Sequence, residues 1–357
     1  SVTLTPEFHM AIADTLTRAG APYNRYLIED LEEGLVPEHK VYIFLDCLYM
    51  TSAQRAAVNA LKNNNHKLVW IFAPGFIAET GPSLAEMQNI TDIAFTKSDS
   101  SIFSTIYVNN QIFSTPSSFS SYVGGGIKNI SPKFSPSQSG AIVWGYYDVW
   151  RTQPAFVSKN MGAWTSIYSP TSGIPTTILR HIYQQAGVHV YSTTNDVFVA
   201  NANWLMIHAS SSGVKTITLP APSSVFNIIS NQSVGDQITQ FTISMSTGET
   251  AIFTVNAYGT AFWKNYTGDH RWDNSANWGK AIVAAPIPLG VPQNVIFHSP
   301  GAGLTGVDNY AWIDDEVDSL GGAQTIDIQI GTDGYDSKVL QTGGTLKFRN
   351  MFIGLHD

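Results

Sequence analysis

Cysteine is nearly absent: Cys47 is the single one in 357 residues, so no intrachain disulfide can form. Such scarcity fits a bacterial exported protein as well as a cytosolic one. Charge is scarce too. Asp, Glu, Lys and Arg make up 13% of the chain, about half the usual share, and Ser, Thr, Asn and Gly fill the gap. That profile suits a β-rich protein secreted by, or held at the cell surface of, a bacterium. Net charge is −8 and no basic run occurs, so no nucleic-acid partner is expected. No apolar stretch approaches the length of a membrane-spanning helix, so no membrane partner is expected either. The nine histidines form neither a HExxH motif nor a His-x-His pair, and no metal ligand set is assigned. No signal peptide heads the numbering, as would hold if numbering starts after its removal.

What is present is apolar material, 43% of residues, ample for packed cores. A chain of this length is expected to hold two or three domains. Thr5-Pro6 reads as a helix start, with Phe8, Ile12 and Leu16 forming one stripe and Gly20 the stop. Tyr26–Ile28 is a short strand candidate, and Val41–Leu45 is a continuous apolar run of the kind a doubly buried parallel strand requires. Thr51 and Gln54 form a capping box for a helix over 52–63. Leu68–Phe72 is the next strand, Ser83 and Glu86 cap another helix, and Ile93–Phe95 is a further strand. This alternation predicts βαβ units and a parallel sheet. Residues 97–140 read as irregular hairpins, Val143-Trp144 as sheet, 175–187 as helix, and Val188–Tyr191 as a last strand.

After Asp196 the pattern changes to short alternating segments at 196–200, 204–209, 214–219, 225–229, 240–245 and 250–255, which is antiparallel β patterning. From Tyr258 a third region begins, with Trp263, Trp272 and Trp278 in WKNYTGDHRWDNSANWG. IDIQIG (326–331) and NMFIG (350–354) repeat an Ile-Gly strand ending, which predicts β-solenoid or β-sandwich rungs.

Residues 23–77, YNRYLIEDLEEGLVPEHKVYIFLDCLYMTSAQRAAVNALKNNNHKLVWIFAPGFI, resemble the glutamine-amidotransferase-like domain that follows the catalytic barrel in many β-galactosidase-type glycoside hydrolases. LMIHASSSGVKTITLPAPSSVFNIISN and STGETAIFTV resemble the small β-domain of the same enzymes. The Trp-Asp-x-x-x-Asn-Trp segment is similar to the start of modules in large bacterial exported proteins. The resemblance implies a flavodoxin-like α/β domain over 1–195, a small antiparallel β-domain over 196–257 and a C-terminal β-rich module over 258–357. It implies a non-catalytic, oligomerising part, a trimer or dimer, that contacts carbohydrate. In the related hydrolases both catalytic glutamates lie on the barrel, so nothing here inherits their role.

Several residues carry candidate chemistry. Amidotransferases place a nucleophilic cysteine in a Gly-x-Cys-x-Gly elbow. Cys47 stands in Leu45-Asp46-Cys47-Leu48-Tyr49 without glycine, which argues for a structural role. Asp46 follows a parallel strand at its carboxyl end, where ligands bind in open α/β sheets, and Glu29 and Asp30 follow the preceding candidate strand. Two such carboxylates are what acid–base hydrolysis of a glycoside needs. Trp144, Tyr146, Tyr147, Trp150 and Arg151, and separately Trp263, Trp272 and Trp278, have the aromatic faces that sugar rings stack on, and equally the bulk of core residues. His181, His189 and His208 read as structural. No cofactor is expected. Calcium is the one weighed, at Asp269, His270 and Asp273 or at Asp308, Asp314, Asp315 and Asp318, without EF-hand spacing. Gly124-Gly125-Gly126 reads as a flexible turn. Asn-x-Ser/Thr matches at Asn89, Asn129, Asn231 and Asn265 carry little weight in so Ser/Thr-rich a chain. Two rival functions stay open: a self-sufficient polysaccharide hydrolase with a site at the sheet's carboxyl edge, and a surface adhesion or structural protein.

Overall fold

The computed structural model describes the backbone of residues 4–120, 129–201, 203–230 and 232–255, and beyond 255 that of the strands named below. Side chains are described from Phe8 to Val255 within those spans, residue 236 excepted. The chain divides into two compact units. The first holds Ser1–Val199, His208–Pro220 and Thr242–Glu249, and the second Ala200–Ile207, Ala221–Phe241 and Thr250–Asp357.

The helices are α1 (Leu4–Arg18), α2 (Ile28–Glu32), α3 (Ser52–Ala60), α4 (Leu84–Thr91) and α5 (Thr176–Gln185). The strands before residue 170 are β1 (Val41–Phe44), β2 (His66–Ile71), β3 (Ile77–Ala78), β4 (Gly81–Pro82), β5 (Phe95–Ser98), β6 (Ile102–Phe103), β7 (Ile106–Val108), β8 (Ser118–Phe119), β9 (Asn129–Ile130), β10 (Lys133–Pro136), β11 (Ile142–Tyr146), β12 (Pro154–Asn160) and β13 (Trp164–Ser169). Seven of them form the main sheet, in the order β1-β2-β13-β12-β11-β7-β8.

β1, β2 and β13 run parallel, and from β12 outward every pairing is antiparallel. The wholly parallel sheet expected from the sequence is therefore mixed. The cause is the tight β12–β13 connection, where Gly162 takes φ +83° and Met161 pairs back to Trp164, since so short a turn can join only antiparallel neighbours. A βαβ unit forms at β1-α3-β2, and Thr51 and Gln54 close the capping box of α3 as expected. β5 leaves the main sheet to pair with β10, so the strand expected near 93–95 is not its next parallel member.

Two further expectations differ. Residues 23–27 form no strand, and the chain enters α2 at Ile28, because Asp30 Oδ2 accepts from Leu27 N–H at 2.7 Å. Residues 188–191 form no ladder either. Tyr191 N–H donates to Gly20 and its carbonyl accepts from Thr218, which leaves isolated bonds in place of strand pairing.

The core of this part runs along β2 and β13, both buried end to end. Phe44 stacks on Trp70 with centroids 4.6 Å apart, and Trp70 Nε1 donates to Ser166 Oγ at 2.9 Å. α1 packs against α5, and α3 against α2 and α4.

Beyond Asn195 the described elements are all strands. β14 (Val197–Ala200), β15 (Trp204–His208), β16 (Gly213–Asn227), β17 (Gln232–Met245) and β18 (Thr250–Val255) form a five-stranded sheet ordered β14-β15-β18-β16-β17. β16 spans both segments read separately at 214–219 and 225–229. Its first half alternates, with Lys215, Ile217 and Leu219 buried.

The last region holds β19 (Thr260–Trp263), β20 (Trp278–Lys280), β21 (Asn294–Phe297), β22 (Tyr310–Ile313), β23 (Val317–Asp318), β24 (Asp327–Ile330), β25 (Lys338–Gln341), β26 (Leu346–Lys347) and β27 (Asn350–Ile353). β19, β21, β24 and β27 stack in parallel, β22 pairs parallel with β25, and β23 with β26. Three strands thus recur in order and pair with their successors, the arrangement of solenoid rungs. The two Ile-Gly endings come into register, Ile330 opposite Ile353.

Candidate functional site

The carboxyl ends of β1 and β2 are where a ligand site in a parallel sheet is built. Both strands end in a non-glycine residue with left-handed backbone, Asp46 at φ +56° and Phe72 at φ +65°. Such conformations are costly unless their surroundings enforce them. Asp46 lies against α1, with His9 Nε2 2.9 Å from its Oδ2. Burial raises the Asp46 carboxyl above the ordinary range, and the neighbouring His9 opposes that shift. Nothing local in the sequence marks His9 as this partner, since α1 and β1 meet only in the fold.

The other two acidic candidates do not join Asp46. Asp30 spends its carboxylate on the Leu27 N–H, as a helix cap. Glu29 is exposed and accepts from Gln54 Nε2 at 3.4 Å. Two carboxylates facing one substrate bond, which glycoside hydrolysis requires, are not assembled from these three.

Cys47 donates to the Leu45 carbonyl at 3.4 Å. Burial foremost, then the charges of Asp46 and Glu29, push its thiol up to about 12, so it stays protonated and weakly nucleophilic at neutral pH. In hydrolases with a nucleophile elbow the reactive side chain stands on a sharp strand-to-helix turn. The comparable turn after β2 carries Phe72, which is buried and packs edge-on against Phe8 and Phe134, both at 5.8 Å.

The first aromatic cluster is split by burial. Trp144 is 2% exposed and packs against Phe113, Phe156 and His181. Tyr147 is also buried, and its hydroxyl donates to the Phe134 carbonyl at 2.7 Å. Of the two readings left open for them, core or sugar platform, burial places both in the core. Tyr146 is half-buried. Trp150, by contrast, is 82% exposed at the tip of the β11–β12 connection, next to exposed Arg151 at φ +59°. Asp148 rigidifies that tip, accepting from Thr152 N–H and hydroxyl at 3.2 Å and from Gln153 N–H at 2.8 Å. Of this cluster, Trp150 is the ring placed to meet a partner.

In the second cluster Trp263 stands opposite Trp278 in the β19–β20 register, and Trp272 lies outside the described residues. So do Asp269, His270, Asp273, Asp308, Asp314, Asp315 and the three glycines at 124–126, whereas Asp318 ends β23. Among the described residues no three His, Cys, Asp or Glu side chains gather as a metal site. His181 packs on Trp144 and Phe113, His189 Nε2 lies 2.9 Å from the Thr218 carbonyl, and His208 sits in β15. No described helix is long and apolar enough to cross a membrane.

No family model and no curated protein matches the sequence. Solved structures do. The β-galactosidase from Bacillus circulans sp. alkalophilus aligns with a TM-score of 0.51 and 16% identity, over 71% of this chain and 38% of that one. A GH42 β-galactosidase from G. stearothermophilus aligns at 0.46 and 11%, over 71% and 36%. The β-galactosidase from the haloarchaeon Halorubrum lacusprofundi aligns at 0.37 and 11%, over 60% and 31%. The first match defines a β-galactosidase-like fold. The likeness is one of fold, and the chain spans 38% of that structure's length.

Proposed function

We propose that this chain is the accessory, oligomer-forming part of a carbohydrate-active enzyme of the β-galactosidase type, acting at or beyond the surface of a bacterium. Residues 1–195 serve as its amidotransferase-like assembly domain, of flavodoxin-like descent despite the mixed sheet. Residues 196–257 form its small β-domain, and 258–357 a separate β-module. It assembles as a trimer or dimer and touches glycan without cutting it. No cofactor enters this role.

The observation that carries the reading is the fold match, over 71% of this chain but 38% of the β-galactosidase. It is supported at the strand ends, where the elbow position holds Phe72, Cys47 is a half-buried, protonated thiol, and Asp30 is a helix cap. Light scattering on the eluting full chain tests it. A trimer or dimer at micromolar concentration is expected, and a monomer at all concentrations contradicts it.

One observation favours a self-sufficient hydrolase: the His9–Asp46 contact at the carboxyl end of β1. Turnover by this chain that is lost in Asp46→Asn selects that reading. The parallel stack of β19, β21, β24 and β27 favours a surface structural protein, which further copies of the Trp-Asp-x-x-x-Asn-Trp module in the parent gene would support.

A further inference from the structure

A cavity of about 560 Å³ lies between α1, the segment 21–40 and the β1 strand. That is the volume of a small-molecule site. Cys47, His189 and the Asp46 partner His9 reach its lining, whereas Asp46, Glu29, Asp30 and the 144–151 aromatics do not.

The charged side chains on the cavity's segment 21–40 are Arg25, Glu38 and Lys40. Glu38 is already engaged, accepting from Asn64 Nδ2 at 2.9 Å and lying 3.2 Å from His66 Nε2. The two cations hold only neutral acceptors. Arg25 donates to the Tyr23 hydroxyl at 3.2 Å with its guanidinium over that ring, and Lys40 donates to the Gly187 carbonyl at 2.6 Å. Among the described residues neither has a carboxylate partner. Two cations with unused N–H groups at one cavity, in a chain of net charge −8, are arranged for an anionic ligand.

The cavity also presents phenols. The Tyr42 oxygen accepts from His39 N–H at 2.8 Å, which leaves its own O–H free to donate. Tyr26, 41% exposed, and Tyr183 also line it, and among the described residues neither hydroxyl has a partner. Free phenol hydroxyls beside ring faces match a saturated ring that carries both C–H faces and hydroxyls.

We propose that this cavity binds a carboxylated sugar ring, a uronate unit, with the carboxylate taken by Arg25 and Lys40 and the ring hydroxyls by Tyr42 and Tyr183. The assignment is independent of the assembly role, which concerns subunit contacts and is read by molecular mass.

Calorimetric titration of the full chain with galacturonate and glucuronate, against galactose, glucose and benzoate, is the test. Saturable uronate binding is expected, with the neutral sugars and benzoate weaker by roughly ten- to a hundredfold, as befits loss of a charge-assisted bond or of hydroxyl partners. Arg25→Ala removes an exposed side chain and is expected to weaken uronate binding by roughly tenfold, while leaving the thermal melt in place. Neutral sugar bound as tightly as uronate overturns the role of the cations. Benzoate bound as tightly overturns the sugar assignment. No uronate binding by a folded chain, or undiminished binding by Arg25→Ala, overturns the proposal.

Discussion

Asp196 and Lys215 are the clearest case of a residue pair that controls stability. Both side chains are buried, at 1% and 3% exposure, with Lys215 Nζ 3.0 Å from the carboxylate. Burial alone would raise the Asp196 carboxyl. Bonds from the Thr194 hydroxyl, Lys215 Nζ and Ser210 N–H outweigh it and hold the carboxyl below its usual range. A depressed carboxylate stabilises the fold above its unfolded value and loses that contribution as pH falls through the folded one. Denaturant midpoints measured downward from pH 7 are expected to hold near neutrality and fall below about pH 4, less steeply in Asp196→Asn. That variant leaves Lys215 buried and unpaired, so it is expected to lose about 3–5 kcal/mol at pH 7. An unchanged midpoint contradicts the pairing. Cys47 makes the opposite prediction. With its thiol pushed up to about 12, alkylation at pH 8 is expected to be far slower than that of an ordinary thiol. Rapid labelling of the native chain counts against a protonated structural thiol.

At the scale of elements, the end of α1 is the most constrained junction. Gly20 takes φ +78°, and a Cβ there would sit 1.8 Å from the Ser192 carbonyl oxygen. Gly20→Ala is expected to cost at least 3 kcal/mol, read as a fall in melting temperature, because both the backbone region and the close approach are denied. The sequence marked this glycine as a helix stop, and it marked β1, α3, β2, α4 and α5 through capping and apolar runs. It did not mark β12 and β13, although β13 is central to the main sheet. β13 reads Trp-Thr-Ser-Ile-Tyr-Ser, polar enough to pass for a loop. Its serine and threonine side chains are buried because they find partners: Ser166 donates to the Thr91 carbonyl and accepts from Trp70, Thr165 accepts from Lys67, and Ser169 donates to the Thr171 carbonyl. A periodicity argument counts apolar residues and so misses a strand whose burial is secured by hydrogen bonds. The β16 strand was divided for a related reason, since Pro220 and Pro222 look like breaks yet sit within one long strand.

At the scale of the whole molecule, the sequence resemblance and the structural match agree on a β-galactosidase-like fold, but the site was less legible than the fold. Asp46 was found because strand-end acids are a pattern, whereas its partner His9 comes from another element. The aromatic run at 144–151 looked like one surface. Only the register of β11 and its turn divides it into core, at Trp144 and Tyr147, and exposed tip, at Trp150. If that tip meets a glycan or a neighbouring subunit, Trp150→Ala is expected to weaken the contact by about 2 kcal/mol without lowering the melting temperature, as measured by affinity electrophoresis in polysaccharide gels and by molecular mass. Loss of stability with both contacts unchanged contradicts a contact role. The central claim, that the chain serves a hydrolase without cutting, is tested most directly by product release from a broad panel of oligo- and polysaccharides. No turnover above a denatured control is expected. Turnover that disappears in Asp46→Asn would contradict the account and make the His9–Asp46 contact the centre of an active site.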